Sequence, residues 1–240
     1  MKTKIERVFI VVGIITLSLL LFNGCNSKNG IGHYRGTPYE DSVYKKGVQI
    51  IPGKLQCEYY DLGGEGIAYH DSDSINSGSG QLNPSDGSYL NEFRIGEAVD
   101  ISYTKFREPA IDNSSFNFVV PEKDQLYVGW TNPGEWTKYT INVKSEGTYR
   151  LGLMYTANQN GGISFSVNDL DMTGPVSVPS TFIPADSVAW RQWHHWNYID
   201  NIAEIHLKKG LQTITIHTVE TGQMNYDFIN FQKSDKKLKP

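Results

Sequence analysis

Val128-Gly-Trp-Thr-Asn-Pro-Gly-Glu-Trp136, continuing as Thr137-Lys-Tyr-Thr-Ile-Asn-Val143, is the stretch whose reading decides the fold. Tyr139, Ile141 and Val143 fall on one face of its second half, and Lys138, Thr140 and Asn142 on the other. A period of two marks a half-buried strand with its polar face toward water. Asn132-Pro-Gly134 places a fixed φ before a residue that tolerates positive φ, so the first half is a tight turn. Two tryptophans and a carboxylate, Glu135, therefore flank one turn at the edge of a sheet.

The same period recurs downstream. Tyr149, Leu151, Leu153 and Tyr155 alternate, then Ile163, Phe165 and Val167, then Val176 and Val178. Ala203, Ile205 and Leu207 precede the Lys208-Lys-Gly210 turn, Ile214 and Ile216 follow it, and a last strand runs from about Tyr226 to Phe231. Connections this short exclude a parallel βαβ order, and no segment carries a helical stripe. The expected fold is all-β, a two-sheet β-sandwich jelly roll. Between Ala68 and Leu126 the pattern fails, except at Val99–Tyr103, which reads as a strand. Structureless loops of that length are uncommon and usually functional or disordered. The part from Lys105 to Glu122 is expected to be an ordered excursion near a ligand site.

At the N-terminus, Lys2, Lys4 and Arg7 precede a short apolar run, Val8 to Phe22, which describes an export signal. Leu21-Phe-Asn-Gly-Cys25 resembles a bacterial lipoprotein cleavage box, with Cys25 the residue that would carry lipid. Residues 1–25 are thus expected to be a signal peptide and 26–50 a polar tether. Residues 51–232 form the sandwich and 233–240 a basic tail. The expected location is the cell envelope, lipid-anchored at the outer-membrane surface or in the periplasm. With Cys25 lipidated, Cys57 stands alone as a buried, inert thiol. The formal net charge of -4 offers no basic field for nucleic acid.

Five tryptophans fall in two clusters, Trp130/Trp136 and Ala189-Trp-Arg-Gln-Trp-His-His-Trp196, more than a core of this size requires. Indole faces stack on the C–H faces of sugars, while amides and carboxylates bond the hydroxyls at the rim. His194-His195 is no zinc signature, since neighbours on a strand point to opposite faces. A serine-esterase elbow is absent, and no matched pair of inward acids suggests a glycosidase.

VGWTNPGEWTKYTINV, together with IPGKLQCEYYD, GGEGIAYHD and ANQNGGISFSVN, resembles a family 6 carbohydrate-binding module over residues 51 to 232. The resemblance implies non-catalytic capture of a polysaccharide or oligosaccharide, feeding glycoside hydrolases carried on other chains of the envelope. It implies that Trp130 and Trp190 sandwich a sugar at the loop end and that Asn225 bonds it. Glu65 or His70 would complete that cleft, and Trp136 would serve a second site on the sheet face. Ala189-Trp-Arg stands where the family commonly has Gly-Gly-Trp-Gln. Trp193 and Trp196 are assigned to the core. The resemblance also implies a structural Ca²⁺ held by Gln56, Glu58 and Asp227, hard oxygen donors that suit this ion. Two other readings remain open: a hydrolase or accessory subunit acting on plant or algal polysaccharide, and a protein-binding adhesin.

Overall fold

A computed structural model describes residues 31–107 and 110–234. The segment expected to be a signal peptide, with Cys25, and most of the expected basic tail lie outside the described residues. Thirteen strands are present among those described: β1 (Gln49–Ile51), β2 (Gly53–Gln56), β3 (Tyr69–His70), β4 (Ile101–Tyr103), β5 (Leu126–Thr131), β6 (Trp136–Val143) and β7 (Gly147–Ala157), followed by β8 (Gly161–Val167), β9 (Leu170–Asp171), β10 (Val176–Val178), β11 (Asn197–Leu207), β12 (Gly210–Glu220) and β13 (Met224–Lys233). They form two sheets. The first has the order β1-β6-β12-β8-β10, with β3 on β6 and β9 on β8; the second has the order β11-β7-β13-β5-β4, with β2 on β13. The β-sandwich expected from the alternation is the observed architecture.

The core is the sum of the inward positions of those strands. Tyr139, Ile141 and Val143 of β6 share one core cluster with Leu151, Leu153 and Tyr155 of β7, and all six are wholly buried. Cys57 is buried too, and burial pushes its thiol well above the usual range, which fits an inert role.

Register faults matter as much as register. Val128 pairs with Tyr226 and Thr131 with Met224, so Gly129 and Trp130 of β5 face the single residue Asn225 of β13. On the other edge of β13, Tyr226 pairs with Tyr155 and Phe228 with Met154, leaving Asp227 as the extra residue. Bulges of this kind re-aim side chains and are favoured beside functional sites.

The polar excursion before β4 is ordered by its own side chains. Asn76 Oδ1 accepts the N–H groups of Gly78, Ser79 and Ile101 at 3.1, 2.8 and 3.0 Å. A Cβ at Gly78 would collide with the Ile101 carbonyl, so only glycine fits there.

The tether expected over residues 26–50 is corrected for its described part. Tyr39 and Tyr44 are buried in the main core cluster. The Tyr44 ring stacks on Tyr59 at 3.7 Å, and the Arg94 guanidinium lies between Tyr60 (3.4 Å) and Tyr39 (4.6 Å). Asp41 ties the turn by accepting from the Tyr39 and Tyr89 hydroxyls. Widely spaced aromatics among polar residues show no period, yet each docks on a distant ring. Tyr44→Ala should therefore cost about 3 kcal/mol in chemical denaturation, as for a core aromatic. A change within ~0.5 kcal/mol would restore the tether reading.

Candidate functional site

At one end of the sandwich, Trp130, Trp190 and Trp193 line an open cleft with about 750 Å³ of space, along with Tyr103, Tyr127 and Lys105. Leu82, Ser102, Ile111 and His194 complete its wall. Lys105 and Ile111 belong to the excursion between β4 and β5, so the described part of that segment borders this cleft.

Trp130 owes its position to the β5 bulge. Its φ of 47° lies in the left-handed region, rare and strained for a bulky side chain, and this turns the indole out of the ladder. The Trp130 N–H, lost to the ladder, donates to Asn225 Oδ1 at 2.9 Å. With Oδ1 so engaged, Asn225 Nδ2 must be the outward donor, to Thr156 Oγ1 at 2.9 Å and to His194 Nδ1 at 3.1 Å. His194 Nδ1 is then an acceptor, so the ring is neutral and its proton sits on Nε2, donating to Asp112 Oδ1 at 2.8 Å. Asp112 Oδ1 also accepts the Trp196 indole N–H at 2.5 Å, and Oδ2 accepts the Lys105 backbone N–H at 2.6 Å.

Asn225 is thus fully buried with its amide satisfied inside the protein. Expected to bond the sugar, Asn225 lies beneath the cleft, where it holds Trp130 and His194. Trp196 is core, as assigned, with its ring edge-on to Tyr127 at 5.2 Å. Trp193 is not; it faces the cleft, edge-on to His194 at 5.3 Å.

Trp190 stands 57% exposed on a short turn, Ala189–Arg191. Arg191, the departure from the family pattern, holds that turn. Its guanidinium grips the buried Asp186 carboxylate through two bonds, Nε to Oδ2 at 2.7 Å and Nη2 to Oδ1 at 3.0 Å.

Glu65 and His70 do not join this cleft. Their side chains pair at 2.5 Å, half exposed, and His70 lies opposite Trp136 on the first sheet. Trp136 begins β6 on the outer sheet face beside Lys138, whose Nζ is 5.5 Å from the indole. The same Lys138 lies 5.1 Å from the ring of Tyr34, so the N-terminal segment packs over part of this face.

His70 and Trp136 also line a small pocket with Asp71 and Glu135. Burial pushes Asp71 up to about 7, with further repulsion from Glu135, Asp100 and Asp73; burial pushes Asp100 up to about 6. A carboxyl raised in the folded state contributes its stability below the unfolded value near 4 and loses it as pH rises through the folded value. Asp71→Asn is therefore expected to melt a few degrees above the parent at pH 8, with the gap smaller at pH 5 and closing only below about pH 4. Equal melting at both pH values in scanning calorimetry would contradict this.

At a separate place, the end of β2 and the Asp227 bulge bring two acids together. Glu58 and Asp227 are buried, and Glu58 Oε2 and Asp227 Oδ1 have no hydrogen-bond partner. Burial and then repulsion from Asp227 push Glu58 well above the usual carboxylate range, and burial pushes Asp227 up to about 8. Gln125 Nε2 donates to Glu58 Oε1 at 3.2 Å and reaches toward Gln56 Oε1 at 3.5 Å. Orphaned buried carboxylate oxygens that repel each other are what a hard cation would satisfy, so the residues present fit Ca²⁺.

Comparison with known proteins agrees with this architecture. The sequence profile described as carbohydrate binding module (family 6) matches residues 110–233, just over half the chain. The chain belongs to that family. Among solved structures, a family 6 module from Clostridium stercorarium in complex with cellobiose is 15% identical (TM-score 0.46), the match covering 79% of this chain and all of that one. The C-terminal family 6 module of a marine laminarinase from Zobellia galactanivorans is 22% identical (TM-score 0.37), covering 46% of this chain and 82% of that one. A module of Cellvibrio mixtus lichenase 5A in complex with cellotriose is also 22% identical (TM-score 0.32), covering 45% and 78%. No curated protein matches the chain.

Proposed function

We propose that the loop cleft captures a polysaccharide or oligosaccharide by stacking sugar faces on Trp130 and Trp190, without transforming it. The observation that carries this is the convergence of three indoles from two distant segments, Trp130 of β5 and Trp190 and Trp193 ahead of β11, on one open cleft braced by a buried polar network. Family membership supports the same ligand class. A glycosidase would need two carboxyl groups facing each other roughly 5–10 Å apart across the scissile bond. No Asp or Glu lines this cleft among the described residues. Trp136 is the less favoured site, because Tyr34 occupies part of its surroundings. Affinity should be modest, about −4 to −7 kcal/mol, as a shallow cleft leaves much of a sugar solvated.

In this reading Cys25 carries lipid, holding the module in the cell envelope where it concentrates glycan for hydrolases on other chains. The buried pair Glu58 and Asp227, with Gln56, holds a structural Ca²⁺, which neutralises their mutual repulsion and fixes the start of the sandwich.

Affinity electrophoresis of the full chain in a non-ionic detergent, through gels containing different glycans, tests the cleft. Trp190→Ala is expected to lose retardation by at least ~30-fold in affinity while folding normally, and Trp136→Ala to keep it. Loss only in Trp136→Ala would move the site to the sheet face, and no retardation by any glycan would favour the adhesin reading. Calcium at ~100 times its Kd should raise the Tm by roughly 5–10 °C over a chelator-treated sample. Asp227→Asn should abolish that response; an unchanged response would remove Asp227 from the metal site.

A further inference from the structure

We propose that the sugar taken by the loop cleft carries an anionic substituent, a carboxylate or a sulfate ester, and that Lys105 is the residue that selects it. The inference rests on reading the cleft as the glycan site and goes further by naming the ligand's charge.

The lining of the cleft is one-sided. Lys105 is its single cation among the described residues, and no carboxylate lines it. Glu65, the acid the resemblance would bring here, pairs with His70 on the Trp136 side instead. His194 contributes no charge, since its Nδ1 accepts from Asn225. Asp112, an acid in contact with this wall, is buried behind His194 and Trp196. One of its oxygens accepts from both rings and the other from the Lys105 backbone N–H, so it presents nothing to a ligand.

The Lys105 ammonium is itself poorly compensated. It is buried and donates to Asn83 Oδ1 at 2.5 Å, with the Tyr103 ring centroid 4.9 Å away. An ammonium has three donors, and the described residues engage one. Burial depresses its basicity, with Asp112 opposing. A buried charge facing neutral groups is costly, and an anion arriving in the same low-dielectric place relieves that cost far better than a hydroxyl does. A lysine acts as a compact point charge, without the fork that would prefer a planar partner, so carboxylate and sulfate are recognised by the same chemistry. Flanking indoles supply the stacking and Lys105 the charge.

The test compares each acidic glycan with its own neutralised form on the full chain in non-ionic detergent. Polygalacturonate, alginate and glucuronoxylan are run beside carboxyl-reduced samples of each, and a sulfated galactan beside its desulfated form. At least one acidic form is expected to bind about tenfold or more tighter than its neutralised partner. That ratio should collapse toward one in Lys105→Gln, checked as folded by its tryptophan circular dichroism. Which arm shows the preference tells carboxylate from sulfate. Equal or tighter binding of every neutralised form by the parent protein overturns the inference while leaving the cleft reading intact, as does a ratio unchanged in folded Lys105→Gln. If the parent binds none of these glycans and no neutral one, both fall together.

Discussion

Asn225 Oδ1 can accept the Trp130 N–H only because β5 holds one residue more than β13 at that point. An amide has two distinct ends. Once Oδ1 is committed, Nδ2 must donate, which fixes the His194 tautomer, which in turn fixes the donor to Asp112. Asp112 then anchors Trp196 and the Lys105 backbone. One unpaired backbone N–H in a bulge thus propagates through four side chains and ties β5, β13, the Trp190–Trp196 segment and the Lys105 excursion into one rigid wall. Buried networks of this kind are costly when half satisfied and stiffening when complete. Here each link of the chain from Trp130 to Asp112 is made.

Much of this fold was legible in the sequence, and the reason is the strictness of period two. Each run that alternates, from Tyr139–Val143 to Tyr226–Phe231, is a strand, because the apolar face of each run is buried in the core. What alternation does not carry is the identity of the neighbouring strand. The bulges at Trp130 and Asp227 exist only relative to β13 and β7, and both candidate places depend on them. The sequence resemblance put Asn225 against the sugar; the bulge puts it underneath. Tyr39 and Tyr44 were invisible for a related reason, since their partners Tyr59 and Arg94 lie far along the chain. Tyr127 did leave a signal: between inward Leu126 and Val128 it must point outward, toward the cleft.

The two ends of β13 show how one strand serves opposite electrostatic needs. At the Asn225 end the buried acid Asp112 is saturated by donors, and the cleft in front of it carries a lysine and neutral rings. At Asp227 each of the two buried acids has one oxygen without a partner, and Asp227 repels Glu58. The first arrangement is complete without any added ion, with Lys105 in the wall of the cleft. The second leaves two carboxylate oxygens without a partner.

The placement of residues 31–47 bears on which face can work. A sheet face binds an extended chain only if a strip across several strands is open. On the first sheet that strip begins at Trp136 and Lys138, and Tyr34 lies against Lys138 while its hydroxyl, buried beside Asp61, is pushed far up by burial and that acid. Clearing the face would mean lifting a segment whose Tyr39 and Tyr44 are anchored in the core. Docking an aromatic pair there costs a ligand the free energy that holds the segment down, whereas the loop cleft is open already. Preorganisation therefore favours the end of the sandwich over its face: the cleft's walls are held by buried bonds, and nothing in the described chain has to move before a ring can stack.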